Sequence, residues 1–265
     1  MKSTRALAAV VAVGAAVLAS CAPAPATDSK ARVVEPVVVT RLAHDPASFT
    51  QGLDIVDDKW SVESTGLYGQ SRLNVLDENG ERVDSIGLPD DVFGEGVAVS
   101  LDTVYVLTWK EHSILRYRWP VLAEMEALPL DTQGWGACFR DGTLWTTDGT
   151  DQLVSRDPAT GQRVGAPLTV TRDGVPVKDL NELECLPDGT FWANVWMSND
   201  IVHIAADGAV DLVLDASVLT AEVAASQPLG PDDVLNGIAA RSDGTLLVTG
   251  KHWPGMFVLE DPRTD

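Results

Sequence analysis

Apolar residues in this chain come in short alternating runs, set between polar turns, and seldom at helical spacing. Leu73-Asn-Val-Leu, Ile114-Leu-Arg-Tyr, Leu153-Val, Ile201-Val-His-Ile and Met256-Phe-Val-Leu each read as a strand. Further strands are predicted at Val83-Asp-Ser-Ile, Glu124-Met-Glu-Ala-Leu, Val164-Gly-Ala-Pro-Leu and Val210-Asp-Leu-Val-Leu. Asp-Gly pairs at Asp141, Asp173, Asp188, Asp207 and Asp243, with Asn79-Gly80, supply the positive φ that tight hairpins require. The one helical candidate is Leu212 to Ala225, with Asp215 or Ser217 as its cap.

Five stretches open alike: Gln51-Gly-Leu-Asp, Glu95-Gly-Val-Ala, Trp135-Gly-Ala-Cys, Glu182-Leu-Glu-Cys and Asn236-Gly-Ile-Ala. Each runs through a turn into a second apolar strand, as at Trp60-Ser-Val or Phe191-Trp-Ala. Aligned positions fall at Gly52, Gly96, Gly136, Leu183 and Gly237, between 40 and 54 residues apart. Short strands repeating with a period in the forties predict an all-β, five-bladed β-propeller. Val37-Val-Val-Thr-Arg-Leu is placed to complete the last blade, so that N- and C-terminal strands close the ring of a single domain over 33–265. The strand starts would face the axis. Their residues differ there (Gln51, Glu95, Trp135, Asn181, Asn236), as a binding or active site demands. Trp60, Trp145 and Trp192 read instead as filling between blades.

The first residues stand apart. Lys2 and Arg5 precede an apolar run from Ala6 to Leu18, too short to span a bilayer and suited to a signal-peptide core. Leu18-Ala-Ser-Cys21 has the form of a lipobox, so residues 1–21 are expected to be a lipoprotein signal peptide with Cys21 the lipidated residue. Residues 22–32 read as a flexible Pro/Ala tether. The expected location is the bacterial cell envelope, exported, with the lipid anchor the only membrane contact. Acidic residues outnumber basic ones 39 to 19, for a formal net charge of −20. Such a surface repels phosphate backbones and argues against nucleic acid as a partner. An exported pair of cysteines, Cys138 and Cys185, invites a disulfide. Both lie two residues after the aligned position of consecutive repeats, and alternate strand residues face opposite sides, so the alignment favours free thiols.

The chemistry is carried by the repeat openings. The four histidines are scattered without metal-ligand spacing, and no Gly-x-Ser-x-Gly elbow or phosphate-binding glycine loop occurs, so neither a metal nor a cofactor is expected. Glu95 sits between Gly94 and Gly96, where burial would raise its pKa. Phe49-Thr-Gln51-Gly-Leu, Phe93-Gly-Glu95-Gly, Thr108-Trp109-Lys, Gly134-Trp135-Gly, Asn181-Glu-Leu-Glu and Thr249-Gly-Lys251 stand in order over residues 37 to 260. In these motifs and their spacing the chain resembles the glutamine cyclotransferase family, the plant and bacterial type of glutaminyl cyclase. It departs from the pattern at Gly255-Met-Phe257, where a tyrosine-containing ending would be expected.

The resemblance implies a five-bladed propeller that converts N-terminal glutamine of peptides or proteins to pyroglutamate and releases ammonia. It implies Glu95 as acid–base residue and Trp135, Asn181 and Lys251 around the scissile amide. Phe49, Gln51, Phe93, Trp109 and Trp196 would line the substrate pocket. The residue types suit the reaction. Ring closure is intramolecular, a carboxylate can shuttle the proton, and Asn181, Lys251 and the Trp135 indole N–H could serve the oxyanion. Two alternatives stand beside it. One is a calcium-dependent lactonase-like propeller, suggested by Asn236-Gly-Ile-Ala-Ala-Arg-Ser-Asp-Gly. The other is a non-enzymatic, membrane-tethered binding propeller.

Overall fold

The computed structural model describes residues 30–264. The expected signal peptide and lipidation at Cys21 lie outside the described residues, as does most of the tether. The fold is all-β, with its sheets arranged as in a β-propeller. Four sheets have four strands in simple antiparallel order. The first comprises Thr50–Val56, Trp60–Thr65, Arg72–Leu76 and Arg82–Gly87. The second comprises Gly94–Val99, Thr103–Thr108, Ser113–Arg118 and Ala123–Pro129. The third comprises Ala137–Arg140, Thr143–Thr146, Gln152–Arg156 and the short Leu168–Thr169. In the last, Val38–Ala43 pairs antiparallel with Gly255–Glu260, outside Thr245–Gly250 and Leu235–Ala240. An early strand and a late one therefore share one sheet, where the apolar run at Val37 predicts it.

The fourth repeat forms a larger sheet of seven strands. Leu180–Cys185, Phe191–Val195, Asp200–Ile204 and Ala209–Asp215 make its antiparallel core. Arg32–Val34 and Thr171–Arg172 add parallel to Ala209–Asp215, covering an edge that would otherwise be open. The helix Ser217–Ser226 follows. It begins five residues later than its apolar pattern suggests, because Leu212 to Asp215 complete the strand. The Asp215 carboxylate then accepts the Ser217 amide proton at 3.0 Å.

Buried clusters lie between successive sheets. Trp192 is wholly buried in one of them and Trp145 packs against another, whereas Trp60 is exposed and lies outside these clusters. The innermost strands approach so closely that side chains are excluded. A Cβ on Gly52 would lie 2.3 Å from Val97 N, and one on Gly96 would lie 2.6 Å from Ala137 N. On Gly136 it would lie 2.0 Å from Asn181 O and 2.7 Å from Glu182 Cα.

This last contact corrects the repeat alignment. The partner of Gly136 is Glu182, not Leu183, and a one-residue slip moves every side chain to the opposite face. With the slip removed, Cys138 faces forward and Cys185 faces back, into one shared cluster. They form a disulfide with Cα atoms 5.4 Å apart, which overturns the expectation of free thiols. Glu182 is the one carboxylate in a row of glycines. It is fully buried and accepts the amide protons of Leu53 and Ile238 at 3.2 and 3.3 Å, so burial raises its pKa well above the carboxylate range.

Candidate active site

Just before its close-packed position each innermost strand carries Gln51, Glu95, Trp135, Asn181 or Asn236, and the first four of these meet at one end of the sheets. There they enclose a cavity of about 310 Å³, lined by Phe49, Gln51, Leu67, Phe93, Glu95, Trp109, Trp135, Asn181, Trp196, Asp232 and Lys251. All nine side chains singled out above for catalysis or substrate contact converge on it. Leu67 and Asp232 were not anticipated. Each sits in a loop outside the repeated motifs, so neither had a pattern to betray it. The volume is at the small end of the range for ligand sites, roughly 300–1,000 Å³.

Glu95 is 5% exposed. Its neighbours Gly94 and Gly96 are pressed against Thr65 O and the Trp135–Ala137 backbone, and the Gly96 amide donates to Trp135 O at 2.6 Å. The Ser64 hydroxyl also donates to the Glu95 carbonyl. The strand is thereby fixed on both sides while the carboxylate faces the cavity. Burial raises the Glu95 pKa well above its ordinary value; Lys251 opposes the shift and Glu111 adds to it. Lys251 is 6% exposed, and burial lowers its pKa, with Glu95 and Asp232 pulling the other way. The two groups shift toward each other, so a proton moves between them, or to a bound ligand, at smaller cost than between free side chains.

Aromatic rings form the walls. Phe93 meets Phe49 edge-on at 6.2 Å and Tyr68 at 5.4 Å, and lies tilted against Trp109 at 5.4 Å. Opposite them, Trp135 and Trp196 cross at 5.6 Å. Gly149, with φ of 80°, lets the Trp135 ring lie where a side chain would collide with it at 2.8 Å. The Lys251 ammonium lies 4.7 Å from the Phe49 ring centre, a cation–π contact that holds it over the cavity. At the rim, Lys110 covers Trp109 at 3.5 Å, and Tyr68 donates to Glu111 at 2.8 Å.

One expected role changes. The Trp135 indole N–H donates to Gln133 Oε1 at 3.3 Å, and the Trp109 indole donates to the same oxygen at 2.9 Å. Gln133 orients both rings, so the Trp135 N–H is already engaged and the indole serves as a wall. Asn181 and Lys251 line the same cavity. Gln51 is held from behind, its Oε1 facing Asn236 Nδ2 at 3.4 Å.

The chain is similar to known proteins over most of its length. A family model described as glutamine cyclotransferase matches residues 9–260. A glutaminyl-peptide cyclotransferase of Arabidopsis thaliana is 34% identical over 237 residues, covering 88% of this chain and 73% of that protein. The crystal structure of Myxococcus xanthus glutaminyl cyclase superposes with a TM-score of 0.79 at 34% identity, covering 87% of this chain and 97% of the other. On the match of its length, its motifs and its fold, the chain belongs to the glutamine cyclotransferase family.

Proposed function

We propose that this protein is a glutaminyl-peptide cyclotransferase acting on peptides or proteins with N-terminal glutamine. The observation that carries the reading is the enclosure of one buried carboxylate, Glu95, with Lys251 and Asn181 in a single aromatic-walled cavity. The substrate's α-amine attacks its own side-chain amide carbon. A new C–N bond forms, and the amine proton passes to the Glu95 carboxylate. Glu95 then returns that proton to the amide nitrogen, the old C–N bond breaks, and ammonia leaves the pyroglutamyl product. The raised pKa suits Glu95 to both steps, because a shuttle works best when its pKa is near the working pH. Asn181 and Lys251 stabilise the tetrahedral oxygen. Phe49, Phe93, Trp109, Trp135 and Trp196 hold the aliphatic stem and exclude water that would hydrolyse the amide to glutamate, while Gln51 offers its carboxamide.

The same reading takes the five sheets as five blades of a closed wheel. The Asn236 carboxamide donates to Thr50 O and Gln51 O at 3.0 and 3.1 Å, which joins the last innermost strand to the first. It also takes residues 1–21 as a lipoprotein signal peptide, 22–32 as a tether and Cys21 as the anchor of an exported enzyme, which the intact mass of the processed chain will test. The catalytic test is direct. A glutaminyl dipeptide incubated with the protein should release ammonia and gain a pyroglutamyl end; release of ammonia with glutamate as the product, or no release, overturns the assignment.

A further inference from the structure

Behind the cavity wall lies a second group of polar side chains that the reaction does not touch. Glu63, on the strand Trp60–Thr65, is wholly buried. Its carboxylate accepts from His44 Nε2 at 2.8 Å, Thr50 Oγ1 at 2.6 Å, Asn74 Nδ2 at 2.9 Å and Ser48 Oγ at 3.0 Å. The other nitrogen of the same ring, His44 Nδ1, lies 2.7 Å from the carbonyl oxygen of Trp253. A carbonyl only accepts, and an ionised carboxylate only accepts. With Glu63 ionised, the state its further donors Thr50, Asn74 and Ser48 favour, both ring nitrogens carry hydrogen and His44 is a buried imidazolium paired with Glu63.

The partners of this pair lie next to catalytic groups. Ser48 and Thr50 flank Phe49 and precede Gln51. Trp253 is two residues after Lys251, and its ring is fully buried. The intervening His252 has a left-handed φ of 59°, and its amide donates to Ser48 O at 2.8 Å. The Lys251 turn and the Phe49–Gln51 strand come from opposite ends of the chain, yet the Lys251–Phe49 contact requires them in fixed relation.

We propose that Glu63 and His44 are positioning residues for the cyclisation: their buried ion pair ties the strand carrying Phe49 and Gln51 to the turn carrying Lys251. An uncharged pair would keep both contacts, with a protonated Glu63 donating to His44 Nε2, but it would lose the charge; the donors Thr50, Asn74 and Ser48 on the carboxylate favour the ionised form. The inference rests on the cyclase reading for its kinetic consequence, though not for the ion pair itself.

The charges around the pair favour the imidazolium. Asp45 adjoins it and is itself paired with Arg82 at 3.0 Å; Glu81 lines the adjacent cavity of about 320 Å³; on the turn side, His252 pairs with Asp233 at 2.8 Å. The His44 pKa is raised by Glu63 and the Trp253 carbonyl against the effect of burial, and the Glu63 pKa is lowered by His44 and its other donors against the same effect. The brace thus weakens as pH rises through the raised value of His44, and again as pH falls through the lowered value of Glu63.

Two measurements test it. Nitrogen-15 NMR of the intact protein should show both ring nitrogens of His44 still protonated where an ordinary histidine, with a pKa near 6.5, has become neutral; a ring that loses its hydrogen at or below that ordinary value overturns the proposal. In the ammonia-release assay, Glu63→Gln should lower kcat at least tenfold with KM changed by less than about threefold. In a Lys251→Met background the same substitution should cost less than threefold, because the group it positions is gone; an equal loss in both backgrounds marks a merely structural role and refutes the idea. If Glu63→Gln does not fold, Thr50→Val carries the kinetic test, with a loss in kcat of about threefold expected and unchanged kcat refuting it. Absence of ammonia release from the unmodified protein would sink the cyclase reading and leave the NMR result to decide the brace.

Discussion

Replacing Glu95 with glutamine keeps the shape of the side chain and removes its ability to take or return a proton. The other carboxylate lining the cavity, Asp232, is exposed where Glu95 is buried. General acid–base assistance contributes roughly 10²–10⁴ in rate, or about 3–5 kcal/mol of barrier. A second loss follows from the geometry. Lys251 is 6% exposed and relies on Glu95 to offset the burial that lowers its pKa. Without that countercharge it sheds its proton more readily, and a charge-assisted hydrogen bond to the oxyanion becomes a neutral one of about half the strength. Together these give an expected fall in kcat of about 10³–10⁵, with KM within a few-fold because the aromatic walls are untouched. The assay is the initial rate of ammonia release from a glutaminyl dipeptide, with thermal melting as the control for folding. The pH profile adds a sharper test. Activity in the unmodified enzyme should rise as Glu95 loses its proton, at a pH well above the ordinary carboxylate value, and that limb should vanish in the variant. The limb from the substrate amine, near pH 8, should persist. A folded Glu95→Gln protein within tenfold of the unmodified rate would refute the acid–base role.

Three further outcomes follow from the packing. Gly136→Ala would place a methyl group 2.0 Å from Asn181 O, so the strand carrying Asn181 must retreat by about 1 Å, a shift that can cost about 10²-fold in kcat; a normal rate would show that the strand spacing is not critical. The Cys138–Cys185 bond closes a loop of 47 residues, so the double serine variant should be less stable to denaturant by about 2–4 kcal/mol, and alkylation of the unfolded, unreduced chain should leave both cysteines unlabelled. Burial raises the Asp54 pKa from 3.8 to about 7, against its bonds to the amides of Val99 and Ile55. The folded state then holds this proton more tightly than the unfolded chain, so stability is lost as pH rises between those values. Asp54→Asn should flatten that part of the stability profile, and an unchanged slope would count against the shift.

Much of the architecture could be read from residue order because turn dipeptides and two-residue alternation are local signals. The convergence of Phe49, Gln51, Phe93, Glu95, Trp109, Trp135, Asn181, Trp196 and Lys251 followed from where those signals repeat, together with the family resemblance. What escaped depends on register or on partners remote in sequence. The fourth opening has Glu182 where the others have glycine, and aligning Leu183 instead puts both cysteines on one face, when they face each other. The true register is marked by a backbone contact, Gly136 against Asn181, that no local pattern records. The Trp135 indole looked free because Gln133 carries no signature of its role. Leu212 to Asp215 suit a helix locally, and only the neighbouring strands Asp200–Ile204 and Arg32–Val34 make them a strand. The ion pair of His44 and Glu63 joins three distant segments and could not be seen before they were folded together.

The pairing of Val38–Ala43 with Gly255–Glu260 bears on how the enzyme comes to exist. While the protein is being synthesised, Val38–Ala43 lacks this partner until Gly255–Glu260 emerges, long after Phe49 and Gln51. Lys251 emerges just before that strand. A chain cut short ahead of Lys251 is therefore both chemically silent and left with a bare strand edge able to capture other chains. Protection of that edge and assembly of the reaction chamber come together.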